Sequence, residues 1–164
     1  MAFVQALGMV SVILYIVAFQ INSRKKILYF QSLSLFIFSI HLLFLDALTG
    51  GIITFINSSK VLLFSFRYKF QGNNILYFFI FTFIISTFLT WEGYHSILAG
   101  SGVIIATMSH WQKRPKYIRF IFALSAIPWI VYHFLVSSYP GILLESVILF
   151  ATTLGIVRFD IMKK

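Results

Sequence analysis

The chain contains seven long apolar stretches, and its positive charges lie almost entirely between them. Twelve of its thirteen Lys and Arg residues lie in or beside the segments that follow the first, third, fifth and seventh stretches. Positively charged loops of membrane proteins stay on the cytoplasmic side. The pattern therefore predicts seven membrane-spanning helices, with the amino terminus outside and the carboxyl terminus in the cytoplasm. The thirteenth positive charge, Lys60, lies inside the third stretch.

The composition excludes a water-soluble globular protein. Of the 164 residues, 60% are hydrophobic and only 10% are charged, and the mean hydropathy is +0.94, whereas a soluble domain is about a quarter charged. The formal charge of +9 does not indicate a nucleic-acid partner, because it is divided among four separate segments on one predicted side. The absence of Cys excludes disulfides and thiolate metal sites.

The length of the apolar stretches indicates helices, since a helix needs roughly 20 apolar residues to span a bilayer. The stretches also lack the alternation of polar and apolar residues that is typical of barrel strands. We therefore predict an all-α membrane protein with a single transmembrane domain over residues 1–164. The predicted helices cover residues 3–21, 27–48, 51–66, 75–90, 94–110, 117–136 and 141–157.

The first and last thirds of the chain share a layout that indicates an internal duplication. Each has a helix with small residues, a basic segment, a helix with a His near its end, a turn ending in Gly, and a helix ending in Arg. Chance coincidence is the alternative, since any two three-helix segments share some Gly and Arg positions. The matched positions are His41 and His133, 92 residues apart, Gly50 and Gly141, 91 apart, and Arg67 and Arg158, also 91 apart.

Two three-helix units run in the same direction only if a further helix reverses the chain between them. Residues 75–90, which are nearly all Phe, Ile, Leu and Thr, are suited to a lipid-facing linker of this kind. We therefore predict a 3+1+3 arrangement, with a first three-helix bundle over 1–69 and a second over 94–160. The two bundles would be parallel repeats related by an axis along the membrane normal.

Several polar segments within the apolar stretches carry a resemblance to known proteins. They are residues 41–43 (HLL), 56–60 (INSSK), 131–134 (VYHF), Gly141, 145–146 (ES) and 156–159 (IVRF). With them the chain resembles the YgjV family of bacterial inner-membrane proteins over nearly its whole length. This resemblance implies an inner-membrane location and implies no particular activity.

The 3+1+3 arrangement with an outside amino terminus also resembles the SWEET sugar transporters and their relatives, the SemiSWEETs, PnuC vitamin transporters and KDEL receptors. Those sugar transporters carry a hinge Pro in the first helix of each half. Here the prolines are Pro115, Pro128 and Pro140, none of them in such a helix, so the resemblance implies neither the Pro hinge nor a sugar substrate.

Six residues are candidates for binding a solute within the membrane: Asn57, Lys60, His41, His133, Glu145 and Trp129. Ionisable residues at membrane depth are costly and usually functional. We expect Lys60 to point inward, toward the seventh helix, where Glu145 or a His would face it. Each residue also has a purely structural alternative. The Lys60 side chain would extend to the membrane–water interface, and the Asn57 amide would hydrogen-bond between helices. Each His would hydrogen-bond a backbone carbonyl, the Glu145 carboxylate would be solvated, and Trp129 would pack in the core or against lipid.

These residues favour a small-solute transporter that alternates access between the two bundles. Lys60 would attract an anionic or zwitterionic group, Asn57 would orient a polar solute, and Glu145 with the His residues would couple proton movement. The alternatives are a non-transporting receptor or assembly partner, and a membrane enzyme. The chain has no enzyme, phosphate-loop or dinucleotide motif, so we expect no catalytic residues, metal or cofactor. The expected partners are a small-molecule solute and the lipid bilayer, with room for a homo-oligomer.

Overall fold

The computed structural model describes residues 2–18, 21, 23–66, 73–112 and 114–162. Over these residues the protein is entirely helical, in agreement with the predicted all-α class. Its helices are α1 (Ala2–Ala18), α2 (Arg24–Leu43), α3 (Leu48–Phe66), α4 (Asn73–Leu89), α5 (His95–Trp111), α6 (Pro115–Leu135) and α7 (Tyr139–Ile156), and a π-helical turn over Val157–Ile161 follows α7.

Three helical segments are long and apolar enough to cross a membrane, namely Lys25–Leu43, Lys116–Leu135 and Tyr139–Ile156. The other four helices contain shorter apolar segments, namely Ala2–Ala18, Leu48–Leu63, Asn73–Leu89 and His95–Ser109. Many large apolar side chains face outward, above all on α4, where Phe78, Phe81 and Phe88 are each more than 60% exposed. Apolar surface of this kind is typical of a face that contacts lipid.

Six of the helices form a ring, and α4 lies outside it. Helix α2 packs between α1 and α3, and α6 packs between α5 and α7. The first half (α1–α3) and the second half (α5–α7) meet at two seams, where α3 contacts α5 and where α1 contacts α7. Helix α4 packs on α3 and α5, so it lies beside the α3–α5 seam. Exchanging the three helices of one half for those of the other reproduces the same set of helix-to-helix contacts.

The α2–α3 and α6–α7 connections are turns of the same type. In each, one non-glycine residue adopts the left-handed conformation, Asp46 with φ 56° and Ser137 with φ 55°. The following backbone N–H closes the helix end by donating to a carbonyl five residues earlier, which is the Schellman arrangement. These bonds are Ala47 N–H to the Leu42 carbonyl at 3.0 Å and Ser138 N–H to the His133 carbonyl at 2.9 Å.

The two turns set the register of the repeat at 91 residues. This value agrees with the spacing of Gly50 and Gly141, but it differs by one from the spacing of the two histidines. At the turn, His41 is therefore the counterpart of Tyr132, and His133 is the counterpart of Leu42. The His spacing in the sequence indicates a repeat but matches the wrong pair of residues, because it is one residue out of register.

The helices alternate in direction, so each end of the ring has its own character. We call the end that carries the turns at Asp46 and Ser137 the turn end, and the end where α1, α3, α5 and α7 finish the basic end. The basic end carries Lys25, Arg114 and Arg158 among the described residues. Five predicted cytoplasmic charges lie outside the described residues: Arg67, Lys69, Lys113, Lys163 and Lys164.

The helix ends differ from the predicted ones by a few residues. The largest shift is at the end of α2, which lies at Leu43 and not at residue 48. Helix α3 begins at Leu48 and not at residue 51, so that Gly50 and Gly51 lie inside its first turn. At about 1.5 Å per residue, Lys60 then lies about 18 Å from the start of this helix, beyond its midpoint. The charge is thus closer to the basic end than the sequence indicates.

Candidate functional site

Three of the predicted site residues come together around one aromatic side chain near the turn end. The ring of Phe38 in α2 lies 5.2 Å from the ring of His41 and 5.4 Å from that of His133 in α6, measured between centroids. Trp129 stacks on His133 at 5.3 Å with an interplanar angle of 19°. Because all four side chains are buried, they form a continuous aromatic cluster between the halves.

His41 joins both halves through its two ring nitrogens. Nδ1 lies 2.8 Å from the Val4 carbonyl in α1, and Nε2 lies 2.9 Å from the Ser138 hydroxyl at the start of α7. A carbonyl can only accept, so Nδ1 carries the proton, and Nε2 of the neutral ring accepts from Ser138. The closeness of α1 is possible because Gly8 lies against His41; a Cβ there would be 2.9 Å from the imidazole.

His133 is equally buried but less completely bonded. Its Nδ1 has no hydrogen-bond partner among the described residues, although the side chain is only 1% exposed. Buried polar atoms without a partner are rare in native proteins, and many of those that occur serve a function. The imidazole packs against the backbone of Gly141, where a Cβ would lie 2.5 Å from Nδ1.

Lys60 lies at the α3–α5 seam, away from the aromatic cluster. Its Nζ donates to the Thr107 hydroxyl of α5 at 2.9 Å, and it lies 5.5 Å from the centroid of the Phe83 ring of α4. The side chain is 1% exposed, so it does not face lipid. It points toward α5 and α4, and not toward α7 as the sequence led us to expect, since α3 borders α5 in the ring.

Asn57 precedes Lys60 by three residues and therefore lies on a neighbouring part of the same α3 face. The residue is half-buried, and its Oδ1 is buried without a hydrogen-bond partner among the described residues. An amide that joined two helices would have its oxygen bonded. The Asn57 amide oxygen therefore does not join α3 to another described helix.

Glu145 occupies the other seam. It is half-buried in α7, which packs on α1 at this seam, and its carboxyl group lies near Tyr15 of α1. In the described part of the chain it forms no ion pair with Lys60. The structure thus divides the six predicted residues into three groups: His41, His133 and Trp129 in the aromatic cluster, Asn57 and Lys60 on α3, and Glu145 on α7.

A set of hydrogen bonds fastens the halves together at the turn end. Both oxygens of the Glu92 carboxylate, in the α4–α5 connection, accept from the first backbone N–H groups of α3, Leu48 at 2.9 Å and Thr49 at 2.7 Å. The Thr49 hydroxyl donates to the Thr90 carbonyl, and its oxygen lies 2.9 Å from the Ser96 hydroxyl of α5. A carboxylate at a helix start also stabilises the helix dipole.

Two further bonds at this end lie in similar places in the two halves. Gly50 N–H in α3 donates to the Tyr132 hydroxyl of α6 at 2.9 Å, while the Ser138 hydroxyl of the second half donates to His41 of α2. In each case the last turns of a middle helix reach across to the start of the third helix of the other half. We call the eleven residues of these contacts the turn-end clamp: Gln5, His41, Leu48, Thr49, Gly50, Thr90, Glu92, Ser96, Tyr132, Ser137 and Ser138, with Gln5 donating to the Ser137 carbonyl at 3.0 Å.

The hydrogen bonds nearer the basic end lie within the halves. Ser32 of α2 and Ser58 of α3 each donate to the other's carbonyl, at 3.0 and 2.8 Å. Arg119 of α6 binds Asp160, after α7, through Nη2 to Oδ1 at 2.7 Å and Nε to Oδ2 at 3.0 Å. The Lys60–Thr107 bond also joins the halves, at the α3–α5 seam and away from the turn end.

The clamp has little signature in the sequence. Glu92 is notable there only as an acid in a predicted outer segment, and Thr49, Tyr132 and Ser138 have no predicted role. The sequence does offer one indication, because a Ser or Thr beside an apolar helix, such as Thr49 or Ser138, often hydrogen-bonds a nearby backbone group. The partners nevertheless lie 41 to 132 residues apart in the sequence, so the pairing itself needs the fold.

The described side chains hold no group of three or more His, Asp or Glu residues that could bind a metal ion. The two clustered histidines are separated by Phe38, and Glu145 lies at another seam. The site can therefore offer hydrogen-bond donors and acceptors, aromatic faces and one buried amine, which suit an organic solute.

Comparison with known proteins identifies the family. The profile of the Imp-YgjV family, described as bacterial inner membrane protein, matches residues 2–163. No curated protein and no solved structure matched the chain. The family match covers every helix, and it agrees with the apolar outer surface and the membrane-length helices. The chain therefore belongs to the YgjV family of bacterial inner membrane proteins.

Proposed function

We propose that this protein is a small-solute transporter in which the two three-helix halves alternately open to the two sides of the membrane. The solute would be polar, and anionic or zwitterionic, as Lys60 suggests. In this proposal α4 is the linker of a 3+1+3 arrangement like that of the SWEET transporters, and the protein performs transport without catalysis.

The observation that carries the proposal is the uneven distribution of hydrogen bonds between the halves. The turn-end clamp joins them by several bonds at one end, whereas nearer the basic end the Ser32–Ser58 and Arg119–Asp160 contacts lie within a half and Lys60–Thr107 is a single bond across the α3–α5 seam. Two rigid units held together mainly at one end can separate at the other once that single bond is released. The arrangement is thus what we expect for one of two alternating states, namely the state closed at the turn end.

The energies involved suit a reversible opening. Each neutral hydrogen bond of the clamp contributes about 0.5–1.5 kcal/mol net, because water replaces the lost partner when the contact opens. The clamp as a whole is then worth a few kcal/mol, which solute binding can offset. A two-state equilibrium responds to a ligand only through its differential affinity for the two states.

The charges orient the proposed transporter, with the turn end outside and the basic end in the cytoplasm. Reporter fusions at residues 46, 91 and 138 should therefore report an outside location. Fusions after residues 26, 69 and 164 should report a cytoplasmic one. A cytoplasmic signal at any of the first three positions would contradict this topology.

A reversible cross-link between the halves tests alternating access. The oxygens of Thr49 and Ser96 lie 2.9 Å apart, so the pair Thr49→Cys and Ser96→Cys should form a disulfide across the α3–α5 seam with little distortion. The chain contains no Cys, so no native thiol interferes. Uptake of a metabolite mixture into proteoliposomes, read by mass spectrometry, should cease on oxidation and return on reduction.

The chain also offers a matched control within one half. The hydroxyl oxygens of Ser32 and Ser58 lie 3.3 Å apart, so Ser32→Cys with Ser58→Cys should give a disulfide that leaves the halves free to move. Oxidation of this variant should leave uptake unchanged. A wild-type protein that takes up nothing, or an oxidised inter-half variant that transports normally, would favour the alternative of a receptor or assembly partner.

A further inference from the structure

The Lys60 amine has fewer hydrogen-bond acceptors than it can use. An ammonium has three N–H donors, but the described structure gives it one acceptor, the Thr107 oxygen at 2.9 Å. The Thr107 hydroxyl donates its own proton to the Val103 carbonyl at 2.8 Å, so it serves Lys60 only as an acceptor. No described carboxylate forms an ion pair with Lys60. Two donors and a buried charge are thus available to a ligand.

The surroundings of Lys60 favour an anion with a second polar group. A buried charge without a partner is strongly unfavourable, so an anion that reached it would be held firmly. Asn57 lies about 4.5 Å further along the α3 axis, toward the turn end. Its Oδ1 is buried and lacks a partner among the described residues, so it is a second polar group available to a solute that enters the opened α3–α5 seam. A carboxylate with a neighbouring hydrogen-bond donor supplies a partner for each of these two residues.

We propose that the solute is a small carboxylic acid with a hydrogen-bond donor beside its carboxyl group, and that it opens the α3–α5 seam by replacing Thr107 as the partner of Lys60. The carboxylate takes the Lys60 donors, and the adjacent hydroxyl or amino group donates to Asn57 Oδ1. This inference rests on the proposed transport function and names its substrate class. It also assigns Thr107 as the competitor whose release couples binding to separation of the halves.

The competition predicts opposite effects for the two members of the seam contact. In Lys60→Met the anion loses its charged partner, so binding should weaken roughly 10- to 100-fold. In Thr107→Val the internal competitor is gone, so binding should tighten roughly two- to tenfold. The matched control is Thr82→Val, because the Thr82 hydroxyl also donates to its own helix, to the Phe78 carbonyl at 2.8 Å, but lies away from Lys60 in α4.

The test is calorimetric binding to the purified full-length protein in lipid nanodiscs, with L-lactate and L-alanine as probes. Acetate, which lacks the adjacent donor, should bind more weakly than lactate, and the neutral lactamide should not bind measurably. The Thr82→Val control should bind lactate as the wild type does. Because Thr107→Val is expected to gain affinity, a loss of folding in Lys60→Met would not obscure the result.

Several results would overturn the proposal. They are no binding of either probe by the wild type, equal binding of lactate and lactamide, or a Thr107→Val variant that binds no more tightly than Thr82→Val. This binding assay is independent of transport. If the probes bind but no solute is taken up, the carboxylate site is supported and the transport function is refuted. If uptake occurs and is blocked by the Thr49–Ser96 cross-link but neither probe binds, the transport function is supported and the carboxylate site is refuted.

Discussion

The two ends of the helical ring are held together in different ways. At the turn end, Thr49, Tyr132 and His41 each take part in bonds that cross from one half to the other. Nearer the basic end, the described pairs Ser32–Ser58 and Arg119–Asp160 each lie inside a half. The comparison shows that hydrogen bonds in an apolar bundle can either stabilise one three-helix half or join the two halves. The same types of hydrogen bond serve both purposes, and the positions of the two partners decide which purpose a bond serves.

The largest effect should come from removing the carboxylate at the start of α3. Glu92→Ala leaves two backbone donors without their charged acceptor, so it should lower the free energy of unfolding by about 2–3 kcal/mol. It should also lengthen the turn-end distance between spin labels at Phe44→Cys and Tyr139→Cys. Both positions are well exposed, at 59% and 69%. Glu92→Gln, which keeps one acceptor, should show an intermediate change in both measurements.

Weakening the Arg119–Asp160 ion pair at the basic end should not change the distance between the two halves. Arg119→Lys exchanges the two-pronged contact with Asp160 for a single one, at a cost of about 1–2 kcal/mol in denaturant unfolding. The partners belong to one half, so labels at Lys26→Cys and Lys116→Cys should keep their wild-type distance. A change in that distance comparable to the one produced by Glu92→Ala would remove the distinction between the two ends.

The Gly50–Tyr132 and Ser138–His41 bonds of the clamp should contribute nearly equally to the free energy of unfolding. Tyr132→Phe removes the acceptor of Gly50 N–H, and Ser138→Ala removes the donor to His41, so each should cost about 1 kcal/mol. Because they lie at different seams, their effects on unfolding should add in the double variant. Strong coupling between the two, measured as a double-mutant cycle, would show that the repeat does not supply two independent fastenings.

The smallest effect should be at the edge of the clamp. The Gln5 side chain donates to the Ser137 carbonyl where water can replace it. Gln5→Ala should therefore lower stability by no more than about 0.5 kcal/mol. It should leave the label distances unchanged at both ends, which makes it a baseline for the other variants.

The helical class and the number of helices follow from the sequence, because hydrophobic length needs no knowledge of neighbours. The direction of Lys60 does not follow, since its partner Thr107 lies 47 residues away, and the order of helices around the ring decides which residue it meets. The start of α3 is predicted three residues late for a similar reason. Gly50 and Gly51 are typical of a turn, whereas Glu92, from a distant segment, caps the helix before them.

The candidate site is predicted as one cluster and is found as three groups. Depth along a helix can be counted from the sequence, so all six residues do lie within the bundle. Which neighbouring helix a side chain points toward cannot be derived from the sequence in this way, because it depends on the order of the helices in the ring. His133 and Trp129 share a stack because they are four residues apart on α6, which is local information. The separation of Glu145 from Lys60 reflects the ring order, which is not local.

The ring of six helices with α4 outside it has a consequence for how such a chain can be assembled from smaller genes. In the proposed topology every helix crosses the bilayer, so the two termini of a three-helix half lie on opposite faces. Two copies of a three-helix unit, inserted in the same direction as separate chains, would close a ring of this kind without any linker. Joining them in one reading frame would require one extra crossing, which α4 supplies in the proposed topology while packing on α3 and α5. A seventh helix then follows from the odd number of helices in each half.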